Sequence, residues 1–137
     1  MSERAFIDTN ILLYADDLDA GDKRTRAQEI LKETIGESRA VVSTQVLQEF
    51  FVNATRKLGV PPEIARKKVE LLQRLDVIVI RPELILSAID LHRLHSFSFW
   101  DALVLRAAAA GGCGVVLSED MNHGQVIDGV RVENPFR

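Results

Sequence analysis

The sequence predicts an α/β fold: a three-layer α/β/α sandwich around a mostly parallel central sheet of four to five strands. Two observations lead there. Short apolar runs recur at Ala5–Ile7, Ala40–Val42, Val77–Ile80 and Gly114–Leu117, each too brief for a helix. The longer stretches between them carry apolar residues on one side, the spacing of surface helices. Strands alternating with helices require parallel pairing, with helical crossovers covering both faces of the sheet. The 137 residues read as one domain, 1–137, long enough to bury a core. No repeat, low-complexity tract or linker divides them.

No run approaches the length of a membrane span, and the N-terminus lacks a basic-then-apolar signal segment. The expectation is a cytoplasmic protein with no membrane association. A single cysteine, Cys113, excludes an internal disulfide framework and any Cys-rich zinc site, and reads as a small buried filler. A net charge of −3 offers no broad basic surface. That argues against a tight non-specific binder of nucleic acid, but not against an enzyme that grips nucleic acid locally.

In chain order, the first strand ends in Asp8-Thr9-Asn10 and passes straight into a helical segment, Ile11–Ala15. Asp8 or Asn10 can cap that helix. Asp16–Asp22 is an acidic loop whose spacing does not match a calcium loop, with Asp22 expected to cap the next helix, Lys23–Ile35, which Gly36 ends. After the second strand, Ser43 or Thr44 caps a helix from Gln45 to Leu58, terminated by Gly59 and Pro61-Pro62. Leu47, Phe50, Phe51, Ala54 and Leu58 form its apolar stripe; Glu49 points elsewhere, with apolar Val46 and Val52 near it. Pro62–Leu75 is amphipathic, and its Arg66-Lys67-Lys68 cluster reads as a solvated face.

Pro82 opens a helix reaching about His95. His92 and His95 share a face there but lack a third ligand, so they read as structural or surface residues. The segment Ser98–Ala110 is apolar nearly all round and predicts a central, buried helix. Ser98 with Asp101 resembles a capping box, and a carboxylate in a first turn suits the helix dipole. Gly111-Gly112 closes this helix. The fourth strand, Gly114–Leu117, leads into Ser118-Glu119-Asp120, a second strand that ends in acid. His123 lies in the following loop, Val130–Val132 is a short last strand, and Pro135 is expected to end the ordered chain.

Right-handed crossovers bring the C-terminal ends of parallel strands to one sheet edge, where ligands bind in open α/β sheets. Asp8 and Asp120 fall there; Glu49 and Asp101 are less securely located by local reading. Packed carboxylates repel and take up protons, a conflict that a divalent cation removes. Oxygen donors without thiolate favour Mg²⁺ or Mn²⁺, a setting suited to phosphoryl chemistry with metal-activated water.

Phe6-Ile7-Asp8-Thr9-Asn10, then Glu49, then Phe99-Trp100-Asp101-Ala102, then Leu117-Ser118-Glu119-Asp120 together resemble the motifs of the PIN-domain nucleases. The resemblance spans nearly the whole chain and comes nearest to the small VapC-type toxins of prokaryotic toxin–antitoxin pairs. It implies that Asp8, Glu49, Asp101 and Asp120 form the catalytic, metal-binding acids. Thr9 stands beside them, and Asn10 and Ser118 orient them through hydrogen bonds. Asn122 stands where the family often has a further acid, which leaves one or two metals open. Glu119 competes with Asp120 for the fourth position, and the spacing from Ser118 favours Asp120. The resemblance further implies a Mg²⁺-dependent endoribonuclease, with Mn²⁺ able to substitute, an RNA substrate, a homodimer and a cognate antitoxin whose arginine enters the acidic pocket. Two rival readings accompany it: a PIN-like binding module without activity, and a phosphoacceptor signalling domain, which lacks here a lysine ending a late strand.

Overall fold

The computed structural model describes residues 2–137. Its elements in chain order are β1 (Ala5–Ile7), α1 (Thr9–Asp16), α2 (Asp22–Gly36), β2 (Ala40–Ser43), α3 (Thr44–Arg56) and α4 (Pro62–Leu72). They continue with β3 (Asp76–Ile78), α5 (Pro82–Leu94), α6 (Phe99–Ala110), β4 (Val115–Leu117), β5 (Val126–Ile127) and β6 (Val130–Glu133). The sheet has six strands in the order β3-β2-β1-β4-β6-β5, parallel throughout except for the β5–β6 pair.

β1 is central because it is apolar on both faces: Ala5, Phe6 and Ile7 are all buried. Phe6 pairs with Val41 on one side and Val116 on the other, which brings the C-terminal ends of β1 and β4 into register. The chain first steps outward from β1 to β2 to β3. It then crosses back to β4 on the other side of β1. With right-handed crossovers, that reversal sends α5 and α6 to the face opposite α1–α4. The packing agrees, since α1 contacts α2 and α3, α3 contacts α4, and α5 contacts α6. The crevice between the ends of β1 and β4 is therefore a topological switch point.

The predicted class holds, with six strands in place of four to five. The additional strand is β5, which forms a two-residue hairpin with β6 through Asp128-Gly129. Both turn residues have positive φ, 49° and 83°, the conformation that makes Asp-Gly a favoured hairpin turn. Boundaries also shift. β3 begins at Asp76, whose carboxylate pairs with Arg4, and α3 and α4 stop before Leu58 and Leu75. Gly21, at φ 60°, and not Asp22, occupies the N-cap of α2. Phe51, expected inside, is 38% exposed, whereas Phe50 is buried. Order does not end at Pro135: Phe136 packs edge-on against Tyr14, with ring centroids 5.1 Å apart.

α6 is the buried helix that its composition demands, with Ala102 through Leu105, Ala107 and Ala108 all inside. Cys113 is buried, and that burial pushes its thiol up to about 11, so it stays protonated and inert. Among the described residues no helix is long and apolar enough to cross a membrane.

Candidate active site

Asp8 directly follows β1 and serves as the N-cap of α1, its Oδ1 accepting the Thr9 N–H at 2.8 Å. Capping does not exhaust it. Its Oδ2 accepts the Ser118 hydroxyl at 2.6 Å across the switch point, and the residue is 94% buried with no cation beside it (6% exposed). Asn10, two residues on, is the hub. Its Nδ2 lies 3.4 Å from Asp8 Oδ2, 3.3 Å from Ser118 Oγ and 3.1 Å from Asp120 Oδ2. Its Oδ1 accepts the Glu119 N–H at 3.2 Å. One amide thus ties the end of β1 to the end of β4. Ser118 completes the tie, its Oγ accepting the Asp120 N–H at 3.1 Å.

Glu49 arrives on α3, whose start is fixed by Ser43 Oγ accepting the Val46 N–H at 3.3 Å. The Thr9 hydroxyl donates to Glu49 Oε1 at 2.8 Å, and Gln45 Nε2 reaches Glu49 Oε2 at 3.5 Å and the Trp100 carbonyl at 3.4 Å. Gln45 is buried, and its Oε1 has no partner among the described residues. Asp101 lies in the first turn of α6, where Ser98 Oγ accepts its N–H at 3.1 Å.

Asp8, Glu49, Asp101 and Asp120 line one cavity of about 550 Å³, and Thr9 and Asn10 share its wall. Ser118 sits behind, fully buried. Asn122 does not join them; it is exposed on the turn after Asp120, where its carbonyl accepts the Gln125 N–H. The three histidines also lie elsewhere. His92 faces the Phe97 carbonyl, His95 lies near the Phe97 ring, and His123 accepts the Asn134 N–H. Glu119 turns away from the cavity, held by Lys23 at 2.8 Å and by the Tyr14 hydroxyl at 2.8 Å.

Further cavity residues were not among the expected site residues: Tyr14, Asp17, Gln45, Asn53, Lys57 and Trp100, the last quoted only as part of its motif. Gln45, Glu49, Asn53 and Lys57 recur every four residues, one polar stripe along a helix. That periodicity could have found them.

The electrostatics follow from burial and crowding. Asp8 is pushed up to about 6, chiefly by burial; bonds from Ser118 and Thr9 oppose the rise, while the charges of Asp120 and Glu49 add to it. Burial likewise raises Asp101 against its Ser98 bond, again with repulsion from Asp120 and Glu49. Among the described residues, Lys57 is the one cation lining the cavity. Among the described residues no three His, Cys, Asp or Glu side chains are drawn together tightly enough to hold an ion as they stand. The donor set still fits one. Carboxylates that repel one another, supported by neutral amide and hydroxyl groups, are the hard oxygen environment a small divalent cation requires.

Residues 5–127 match the PIN domain family. The chain belongs to that family. Solved structures similar to this PIN domain include a toxin–antitoxin complex from Klebsiella pneumoniae, at 22% identity and TM-score 0.67 over 96% of this chain and 97% of the other. A DNA-bound VapBC from Salmonella typhimurium aligns at 20% identity and TM-score 0.70, covering 98% and 99%. VapC20 from Mycobacterium tuberculosis, a sarcin–ricin-loop-cleaving toxin, aligns at 19% identity and TM-score 0.65, covering 85% and 91%. At these identities the likeness concerns the fold. No protein of curated function matches this PIN domain in sequence.

Proposed function

We propose that this PIN domain is a divalent-metal-dependent endoribonuclease and the toxin of a toxin–antitoxin pair. The observation that carries the reading is the meeting of Asp8, Glu49, Asp101 and Asp120 around one cavity at the switch point. These four carboxylates would hold Mg²⁺, with Mn²⁺ able to replace it. The metal, when bound, supplies an activated water and neutralises charge developing on a phosphodiester.

The chain's own residues do the rest. Asn10 and Ser118 fix the orientation of Asp8 and Asp120, and Thr9 fixes Glu49. Ionised Asp8 is the form that would bind a cation, and with its carboxyl at about 6 that form predominates at neutral pH. Lys57, at the cavity wall, offers a phosphate contact that offsets the acidity of the site toward RNA. The similar structures whose titles name toxin–antitoxin complexes support an antitoxin partner for this chain. An arginine from that partner suits the cavity, because a guanidinium occupies the same electrostatic position as the metal. A homodimer of the toxin completes the proposal.

The test is RNA cleavage by the pure protein, freed of any partner, in Mg²⁺ or Mn²⁺ and again in EDTA. Asp8→Asn is run alongside to expose contaminating ribonuclease. Cleavage that needs both metal and Asp8 is the expected result; cleavage unaffected by EDTA or by the substitution overturns the proposal.

A further inference from the structure

Trp100 is the chain's one tryptophan, and it is 60% exposed on the first turn of a helix whose middle is buried. A large aromatic exposed at the rim of a polar cavity offers a flat apolar face on which a ligand ring can stack. Phe99 meets the indole edge-on, centroids 5.1 Å apart at 75°, and Gln45 Nε2 donates to the Trp100 backbone carbonyl. Trp100 lines the carboxylate cavity and also a second hollow of about 300 Å³ beside it. The second hollow is walled by the amides of Gln45, Gln48 and Asn53 with Val52, and it shares only Glu49 among carboxylates with the first. An aromatic plate and a set of amide donors and acceptors therefore adjoin the acids.

We propose that this second hollow is a nucleobase subsite, in which an unpaired base of single-stranded RNA stacks on Trp100 and presents its edge to Gln48 and Asn53. The inference rests on the nuclease reading and deepens it. Every base has a π-face, so stacking supplies affinity without sequence choice, while amides read the exposed Watson–Crick edge of an unstacked base. A base in a duplex cannot offer both at once. Continuity between the hollows lets the adjoining phosphate enter the carboxylate cavity, with Lys57 one helical turn beyond Asn53 to meet the backbone.

The lone tryptophan is its own reporter. Asp8→Asn protein, which keeps RNA intact, is titrated with a single-stranded RNA oligonucleotide, its duplex form and a version abasic at each position in turn. Binding is read by tryptophan fluorescence, and by anisotropy of labelled RNA for Trp100→Ala and Trp100→Phe in the same background. The expected result is saturable quenching by the single strand alone, lost at one abasic position. Trp100→Ala weakens binding about tenfold and Trp100→Phe about threefold or less. Circular dichroism confirms that both variants are folded. RNA cleavage by the wild type with unquenched Trp100, and equal KM for Trp100→Ala, overturns the subsite and leaves the nuclease standing. A concentration-dependent blue shift without RNA, with Trp100→Ala changing the oligomeric state, also overturns it and assigns the face to a second copy. Absence of both RNA binding and cleavage removes the nuclease reading, and the subsite with it.

Discussion

Glu119 and Asp120 are neighbours in the chain and belong to two different kinds of acidic region. Glu119 has a cation of its own: burial acts to raise its carboxyl, but Lys23 and Tyr14 outweigh it and hold the group below its ordinary value. Lys23 is further seated over the Tyr14 and Phe136 rings, at 5.0 and 5.8 Å from their centroids. That cluster is complete without a ligand. Asp120 faces the other way, into a cavity whose acids are held by neutral donors and repel one another. Asp8, the most buried of them, is pushed up to about 6. The comparison separates an acid already paired with a cation of the fold from acids crowded together among neutral donors, the set proposed to hold a divalent metal. Sequence distance does not distinguish the two, because a single peptide step at the end of β4 reverses the side chain.

The largest expected effect breaks the comparison at its centre. Asp8→Asn or Asp101→Asn lowers metal-dependent RNA cleavage by about 100-fold or more, since removing one donor displaces the charge that the transition state needs. Glu119→Gln leaves it within about threefold. Single-turnover rates on one RNA, with each variant shown to be folded, check both statements.

The next effect is on stability. The folded carboxyl of Asp8 titrates near 6, above its ordinary value near 3.8. The folded state therefore binds this proton more tightly than the unfolded state. The stabilisation is present below about pH 4 and is lost as pH rises through about 6. In EDTA, Asp8→Asn escapes this loss, so its stability relative to wild type increases between pH 4 and pH 7.5 by on the order of 2–3 kcal/mol. Urea denaturation of the two proteins across that range measures the difference, and Mg²⁺ restores the wild type.

Smaller effects sharpen the picture. Asn10→Ala frees the tie between Asp8 and Asp120 and weakens metal binding about tenfold, measurable by calorimetry. Lys57→Ala raises KM for RNA several-fold with kcat preserved and reduces the salt dependence of binding by about one charge, which a salt titration reads.

Much of this was legible in residue order, for reasons that differ by element. Ala5–Ile7 and Val115–Leu117 are short apolar runs cut off by acid, so their shared edge followed from strand physics, whereas their direct pairing emerges only from the sheet order. Helix α6 announced its burial by carrying few charges. Asp101 was another matter: Ser98 capping accounts for it locally, and only the crossover through α5 brings it to the cavity. Attention to apolar spacing on α3 hid its second periodicity, the polar stripe from Gln45 to Lys57. The β5–β6 hairpin was missed although Asp128-Gly129 signals it, because a two-residue strand has too few positions to show alternation. Phe136 lies beyond Pro135, and its contact with Tyr14 spans almost the whole chain, which local patterns cannot carry.

The most direct measurement is calorimetric titration of Mn²⁺ into wild type, Asp8→Asn and Glu119→Gln at pH 7.5. The expected result is saturable binding to wild type and Glu119→Gln with the same affinity, and loss of that binding in Asp8→Asn. Equal binding by wild type and Asp8→Asn, or loss confined to Glu119→Gln, contradicts the division between the two acidic regions.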